Sequence, residues 1–381
     1  MHKVIHSESI KAALAVRGWS QEQLADAIGE SPQLVSHWLK GTHFPRPQKL
    51  LKLATTLMLG FDQLVMPDAN QPVIAFRKKA GSKTTDEHIA KARVMAELLK
   101  PLVAYLPETR ALHTSLSVPS TAYPWLQSAA AQVREKLGIG KRAVLEYKHL
   151  IKEFKDNDAL LVPSLWGERQ NHKNALHILL PEHKVTFVYL NLDTQLEDFK
   201  FWMAHELAHV YTPELAGTES GEDFADAFAG ALLFPQDCAE VAYAEALQVR
   251  VQVRGVQAMT QTLLRHAQAH SISLYTVFRQ VQNLAQVRGL KLLELTDSQV
   301  HATRNNQRGG LVSEALFKPM PPTAEALIAV AENLFSSRFF IALRALLIDK
   351  GTGAGYVQQV LDTGLRDATA LHHALVGEPT N

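Results

Sequence analysis

The chain has 381 residues, which at about 150 residues per domain points to two or three domains. Its 46% hydrophobic and 20% charged content is that of an ordinary globular protein, and a net charge of +1 excludes a strongly basic or acidic chain. The single cysteine, Cys238, excludes an intramolecular disulfide framework. There is no apolar leader after Met1 and no run near ~20 apolar residues, so a cytoplasmic protein without a membrane span is expected.

Residues 7–66 carry the pattern of five short helices. Ser20 and Ser31 are placed as N-caps, Ser20 and Gln23 form a capping-box pattern, and Pro32 stands at a first helical position. Gly29 marks the turn between two helices and Gly41 the end of the second. Leu24, Ala25, Ile28, Val35 and Trp38 supply a small core, and Leu50, Leu51, Leu53, Ala54 and Leu57 give a further amphipathic helix. These 60 residues strongly resemble the xenobiotic-response-element (Cro/CI-like) helix-turn-helix. By that resemblance the second helix lies in the major groove, with Gln33, Ser36 and His37 at base edges and Gln21, Lys40 and Arg46 at phosphates. Gln33 has the chemistry to pair bidentately with adenine. Pro32 stands where the family often has a polar base reader, which thins the readout. The resemblance also implies operator DNA as a partner and a homodimer. The segment is only mildly basic, so a protein-binding or dimerising role is the alternative.

Residues 67–84 read as a boundary, from Pro67, Asn70 and Pro72 and the basic run Arg77 to Lys83. Residues 85–115, Ala122 to Leu137 and Ala143 to Lys155 read as helical. Ala159 to Pro163, Ala175 to Leu180 and Val185 to Asn191 read as strands. Such a sheet would offer an edge on which an extended peptide could pair. Tyr189 and His177 are candidates for oxyanion support without an assigned role, while His172, His177 and His183 also read as surface or internally satisfied histidines.

Within the apolar run Phe199 to Val210 stands His205-Glu206-Leu207-Ala208-His209. On a helix His205 and His209 project from one face, one turn apart. Two neutral imidazoles at that separation can hold Zn²⁺, and Glu206 between them can act as general base. A catalytic zinc usually has a third protein ligand. Phe224, Ala225, Phe228, Ala231 and Leu232 mark a second amphipathic helix, starting near Ser220-Gly221 and ending at Pro235, and Glu222 near its start can supply that ligand. Glu219 and Asp223 are close enough to compete; Glu222 keeps its register with Ala225 and Phe228. Asp226, one turn on, can accept the other ring N–H of a liganding histidine. Cys238 follows three residues after Pro235. Its thiolate could bind the metal, and a plain buried or surface thiol is the simpler reading.

The segment Phe201 to Val210, with Glu222-x-x-Ala225-Asp226-x-Phe228-Ala229 and Leu233-Phe234-Pro235, resembles the ImmA/IrrE family of zinc peptidases over about residues 125–240. The resemblance implies a small gluzincin-like fold, zinc held by His205, His209 and Glu222, Glu206 as base, and a protein substrate that is often a DNA-binding repressor. Beyond it, Ala239 to Val253, Val256 to Ala269, Ser273 to Gln286, Ala324 to Leu347 and Tyr356 to Leu375 carry helical periodicity, and Arg304 to Leu311 is a polar loop.

The expected architecture is multi-domain α+β. It comprises an all-α helix-turn-helix domain (1–68), a linker and helical connector (69–124), a small α+β metallopeptidase domain (125–245) and an all-helical C-terminal region (246–381). The expected function is a zinc-dependent site-specific endopeptidase that also binds DNA. It would regulate transcription, or a stress, phage-defence or toxin–antitoxin response, by cleaving a repressor or antitoxin. The alternative is a one-component transcription factor or toxin–antitoxin component whose metal site is sensory or structural.

Overall fold

The computed structural model describes residues 4–66, 71–77, 86–107, 114–167, 175–252, 255–305 and 309–377. The chain divides into two compact units, Met1–Gln71 and Pro72–Asn381. The basic run from Lys78 to Lys83, His172 and part of the Arg304–Leu311 loop lie outside the described residues.

The first unit contains the five expected helices: α1 (Ser7–Arg17), α2 (Gln21–Ile28), α3 (Pro32–Leu39), α4 (Pro47–Leu57) and α5 (Phe61–Leu64). Their ends follow local chemistry. The Ser20 and Ser31 hydroxyls accept from the backbone N–H groups of Gln23 and Leu34, each at 3.2 Å, and Gln23 completes the box on Ser20 N. Gly29 ends α2 at φ +66°, a left-handed conformation that costs glycine least. Leu24, Ala25, Ile28, Val35 and Trp38 are buried together with Ile10, Leu14, Leu53 and Leu57. The purely helical reading missed a short antiparallel ribbon, β1 (Val4–Ile5) with β2 (Val65–Met66). It ties the two ends of the unit together, and two-residue strands leave no periodicity to read.

The second unit is built on a four-stranded sheet of β3 (Val73–Arg77), β4 (Ala159–Ser164), β5 (Ala175–Leu180) and β6 (Val185–Asn191), in the order β3-β5-β6-β4. β4 runs parallel to β6, and the other two pairings are antiparallel. β4, β5 and β6 stand where the sequence placed them. β3 corrects the reading of 67–84 as plain boundary: its five residues pair with all but one residue of β5, so β5 is an interior strand and the edges of the sheet are β3 and β4.

The helices of this unit are α6 (Asp86–Leu99), α7 (Tyr123–Lys136), α8 (Tyr147–Asp156), α9 (Leu196–Tyr211), α10 (Glu219–Leu233), α11 (Gln236–Gln252), α12 (Gly255–His270) and α13 (Leu274–Val287). They continue with α14 (Asp297–Asn305), α15 (Val312–Leu316), α16 (Ala324–Ala329), α17 (Phe339–Lys350), α18 (Ala354–Leu361) and α19 (Leu365–Val376). Several differ from the sequence reading. After α6 the chain tightens into a 3₁₀ turn, Lys100–Tyr105, at Pro101, which has no N–H to continue an α-helix. Residues 143–146 precede α8 rather than belonging to it. The span 324–347 is broken by a π-helical turn at Val330–Leu334 and by Ser336 at φ +51°. The span 356–375 is broken at Asp362, φ +51°, ahead of Gly364. Apolar periodicity continues across both breaks, so it could not reveal them.

The sheet is covered on both faces, and all seven residues of β6 are buried. Phe187 and Tyr189 point toward α17, where Phe339 packs edge-on to both rings. The Tyr189 hydroxyl donates to the Val360 carbonyl at 2.7 Å. The alternate residues of β5 and β6 face α9. The connector and the C-terminal helices, expected as separate regions, therefore share one core with the sheet. Tyr356 in α18 donates to the Leu98 carbonyl of α6, and Trp166 Nε1 donates to the Leu361 carbonyl at 3.1 Å. Among the described residues, no helix is long and apolar enough to cross a membrane.

Candidate metal centre and nucleic-acid interface

α9 and α10 pack against each other in the core and carry the candidate ligands. α10 begins earlier than the sequence suggested. Thr218 is the N-cap, its hydroxyl accepting from Gly221 N at 3.0 Å, so Ser220 and Gly221 lie inside the first turn. A Cβ on Gly221 would stand 2.0 Å from the Leu215 carbonyl oxygen of the α9–α10 loop. Only glycine allows the loop that close, and the close approach sets Glu222, the next residue, against the histidines of α9. Behind the pair, buried Arg134 donates to the carbonyls of Leu232, Gly140 and Ala143. Tyr211 at the end of α9 donates to buried Glu153 at 2.6 Å, which also pairs with Lys136 at 2.7 Å. These contacts hold both helices from their far ends.

His205, His209 and Glu222 converge. The two Nε2 atoms are 3.1 Å apart; Glu222 Oε2 lies 3.4 Å from His205 Nε2 and Oε1 lies 3.2 Å from His209 Nε2. Bonds of about 2.0–2.1 Å at tetrahedral angles put donor atoms about 3.3 Å apart. The three residues therefore fit one zinc-sized ion. Asp226 Oδ1 lies 2.9 Å from His205 Nδ1, which places the ring proton there and turns Nε2 to the centre. Burial pushes the His209 pKa down, toward the neutral form a metal needs. Burial would raise the pKa of Glu222, but the hydrogen bonds to His205 and His209 outweigh it and hold the carboxyl well below the usual range. Glu206 is 1% exposed beside the cluster. Neither Glu219 nor Asp223 belongs to the converging set.

One residue of the site was not assigned from the sequence. His177, on β5, points at α9: its Nδ1 is 3.5 Å from Glu206 Oε2, and its ring meets His209 edge-on with centroids 5.6 Å apart. Its signal was a lone polar residue in the otherwise apolar strand Ala-Leu-His-Ile-Leu-Leu. Tyr189, named beside it as an oxyanion candidate, points to the opposite face of the sheet. Cys238 is buried near the Arg142 carbonyl at 3.8 Å and takes no part in the converging set.

In the first unit, Gln33 and His37 are exposed one turn apart on α3, Ser36 is half-buried, and Gln21, Lys40 and Arg46 are exposed at helix ends. His37 is held in place: Thr42 Oγ1 donates to the His37 carbonyl and lies 3.0 Å from His37 Nδ1, and His43 meets the ring edge-on. Residues 10–64 match the model of a helix-turn-helix family. The N-terminal unit is a helix-turn-helix DNA-binding domain. The match stops short of α9 and α10. No curated protein and no solved structure gives a significant match to the chain.

Proposed function

We propose that the chain is a DNA-binding, zinc-dependent endopeptidase that controls transcription by cutting a repressor-like protein. The observation that carries this reading is the convergence of His205, His209 and Glu222 with buried Glu206 beside them. His205, His209 and Glu222 would hold zinc, which would supply Lewis-acid polarisation of a carbonyl and lower the pKa of a bound water toward about 7. Glu206, buried beside the three ligands, would act as general base and then as general acid, holding a proton and passing it to a leaving amine. Asp226 keeps the His205 proton on Nδ1. The helix-turn-helix unit, as a homodimer on an operator, confines the activity to few partners. The substrate class is a helix-turn-helix repressor or an antitoxin.

A second reading rests on the burial of the site, where His205, Glu206 and His209 are each at most 1% exposed. A metal so enclosed also suits a sensor or a structural clamp in a one-component transcription factor. Elemental analysis for zinc, followed by incubation of the zinc-loaded protein with the helix-turn-helix proteins encoded beside its gene, separates the two. Zinc with cleavage that Glu206→Gln abolishes supports the peptidase. Zinc with operator binding and intact partners supports the sensor, and a protein that takes up no zinc removes both readings of the metal site.

A further inference from the structure

The middle of β5 holds a residue that the fold alone does not explain. His177 is 1% exposed in a strand whose other members are all apolar. Neither of its ring nitrogens has a hydrogen-bond partner, and neither does Glu206 Oε2, the polar atom 3.5 Å from its Nδ1. A buried imidazole costs stability unless a hydrogen bond offsets that cost, and Glu206 Oε2 is the polar group near enough to supply one. Violations of that kind gather where function needs them.

The sheet fixes where the imidazole can point. His177 is paired on one side with Val188 of β6 and on the other with Ala75 of β3. Both backbone neighbours are locked, so the side chain has one face to occupy, and that face is covered by α9.

We infer that His177 is a positioning residue for Glu206: its Nδ1 stands 3.5 Å from Glu206 Oε2, and a hydrogen bond closed across that gap holds the carboxylate in the orientation that proton transfer requires. The inference rests on the peptidase reading for its purpose, but the contact itself does not. A neutral imidazole carries one ring proton. Donated to Oε2, it leaves the other carboxylate oxygen free to move protons. Hydrogen bonds of this kind are often long before substrate arrives and close afterwards.

The first test is a double-mutant cycle read by thermal unfolding of the metal-free protein, using His177→Leu, Glu206→Leu and the pair. His177→Leu alone is expected to lower Tm, because it leaves a buried carboxylate unpartnered. In the Glu206→Leu background the same substitution is expected to raise Tm, because it then removes an unpartnered imidazole. Additive effects, with no change of sign or size, overturn the inference. This readout needs no hydrolysis, so it stands if the peptidase reading fails.

The second test follows hydrolysis of β-casein by the zinc-loaded protein. His177→Leu is expected to lower kcat about 10–100-fold with KM and zinc content unchanged, and His177→Asn, which keeps a donor near Nδ1, to recover part of the loss. A kcat that does not change overturns the inference. So does a loss of zinc in step with activity, which would mean that His177 acts through His209 instead.

Discussion

The two units of this chain treat polar side chains in opposite ways. Among the described residues, no buried polar or charged side chain precedes Arg134, so the helix-turn-helix unit keeps an apolar interior and leaves Gln21, Gln33, His37, Lys40 and Arg46 exposed. The larger unit buries His177, His205, Glu206 and His209 in one cluster, with Arg134, Glu153 and Lys200 elsewhere in the same core. A DNA-reading surface needs only a stable scaffold that presents side chains to water. The metal centre proposed for the larger unit needs its donors fixed before an ion arrives, and the rest of the fold carries the cost of burying them.

Glu206→Gln is the sharpest way to break the comparison. Cleavage is expected to fall about 10²–10⁴-fold, while zinc content and operator affinity stay at their original levels. Loss of DNA binding in this variant would show that the two units do not work independently. Leu24→Ala probes the other side. Leu24 is 0% exposed in the small core, so the substitution is expected to cost about 2–5 kcal/mol. It should abolish operator binding in a gel-shift assay and leave zinc content untouched.

Smaller changes sharpen the picture at the surface. Gln33→Ala is expected to cost about 1–3 kcal/mol on the preferred operator and little on others. Lys40→Ala should weaken all DNA alike and reduce the salt slope by about 1. Equal losses on every sequence for both variants would mean that Gln33 reads no base.

The smallest effect concerns pH. Burial lowers the pKa of His270 from 6.5 to about 4. Its folded form resists protonation that the unfolded chain accepts. This contribution to stability is therefore complete above pH 6.5 and is lost as pH falls toward about 4. Following Tm of the larger unit over that range should show a decline that His270→Leu flattens; an identical decline in the variant would rule His270 out as its source.

The sequence was most legible where structure is local. The caps at Ser20 and Ser31, the turn at Gly29 and the one-turn spacing of His205 and His209 are settled within a few residues; the pairing of Glu222 and Asp226 with those histidines joins two helices and was expected from the register of the second helix and from the family resemblance. What escaped depends on partners far along the chain. β3 looked like boundary because its strand character comes from pairing with β5, a hundred residues away. His177 read as one more satisfied histidine because its neighbours are supplied by α9. The C-terminal helices looked independent because nothing in their own periodicity says that Phe339 closes the back of the sheet.

The placement of β3 has a consequence for how a polypeptide could gain entry. On one side of the sheet, β3 already takes the hydrogen bonds β5 has to offer, and a Cβ on Gly217 would stand 2.9 Å from the Ile74 carbonyl oxygen of β3. On the other side, β4 includes Pro163, which has no N–H to give. A chain that would pair with β5 beside His177 must therefore first displace β3.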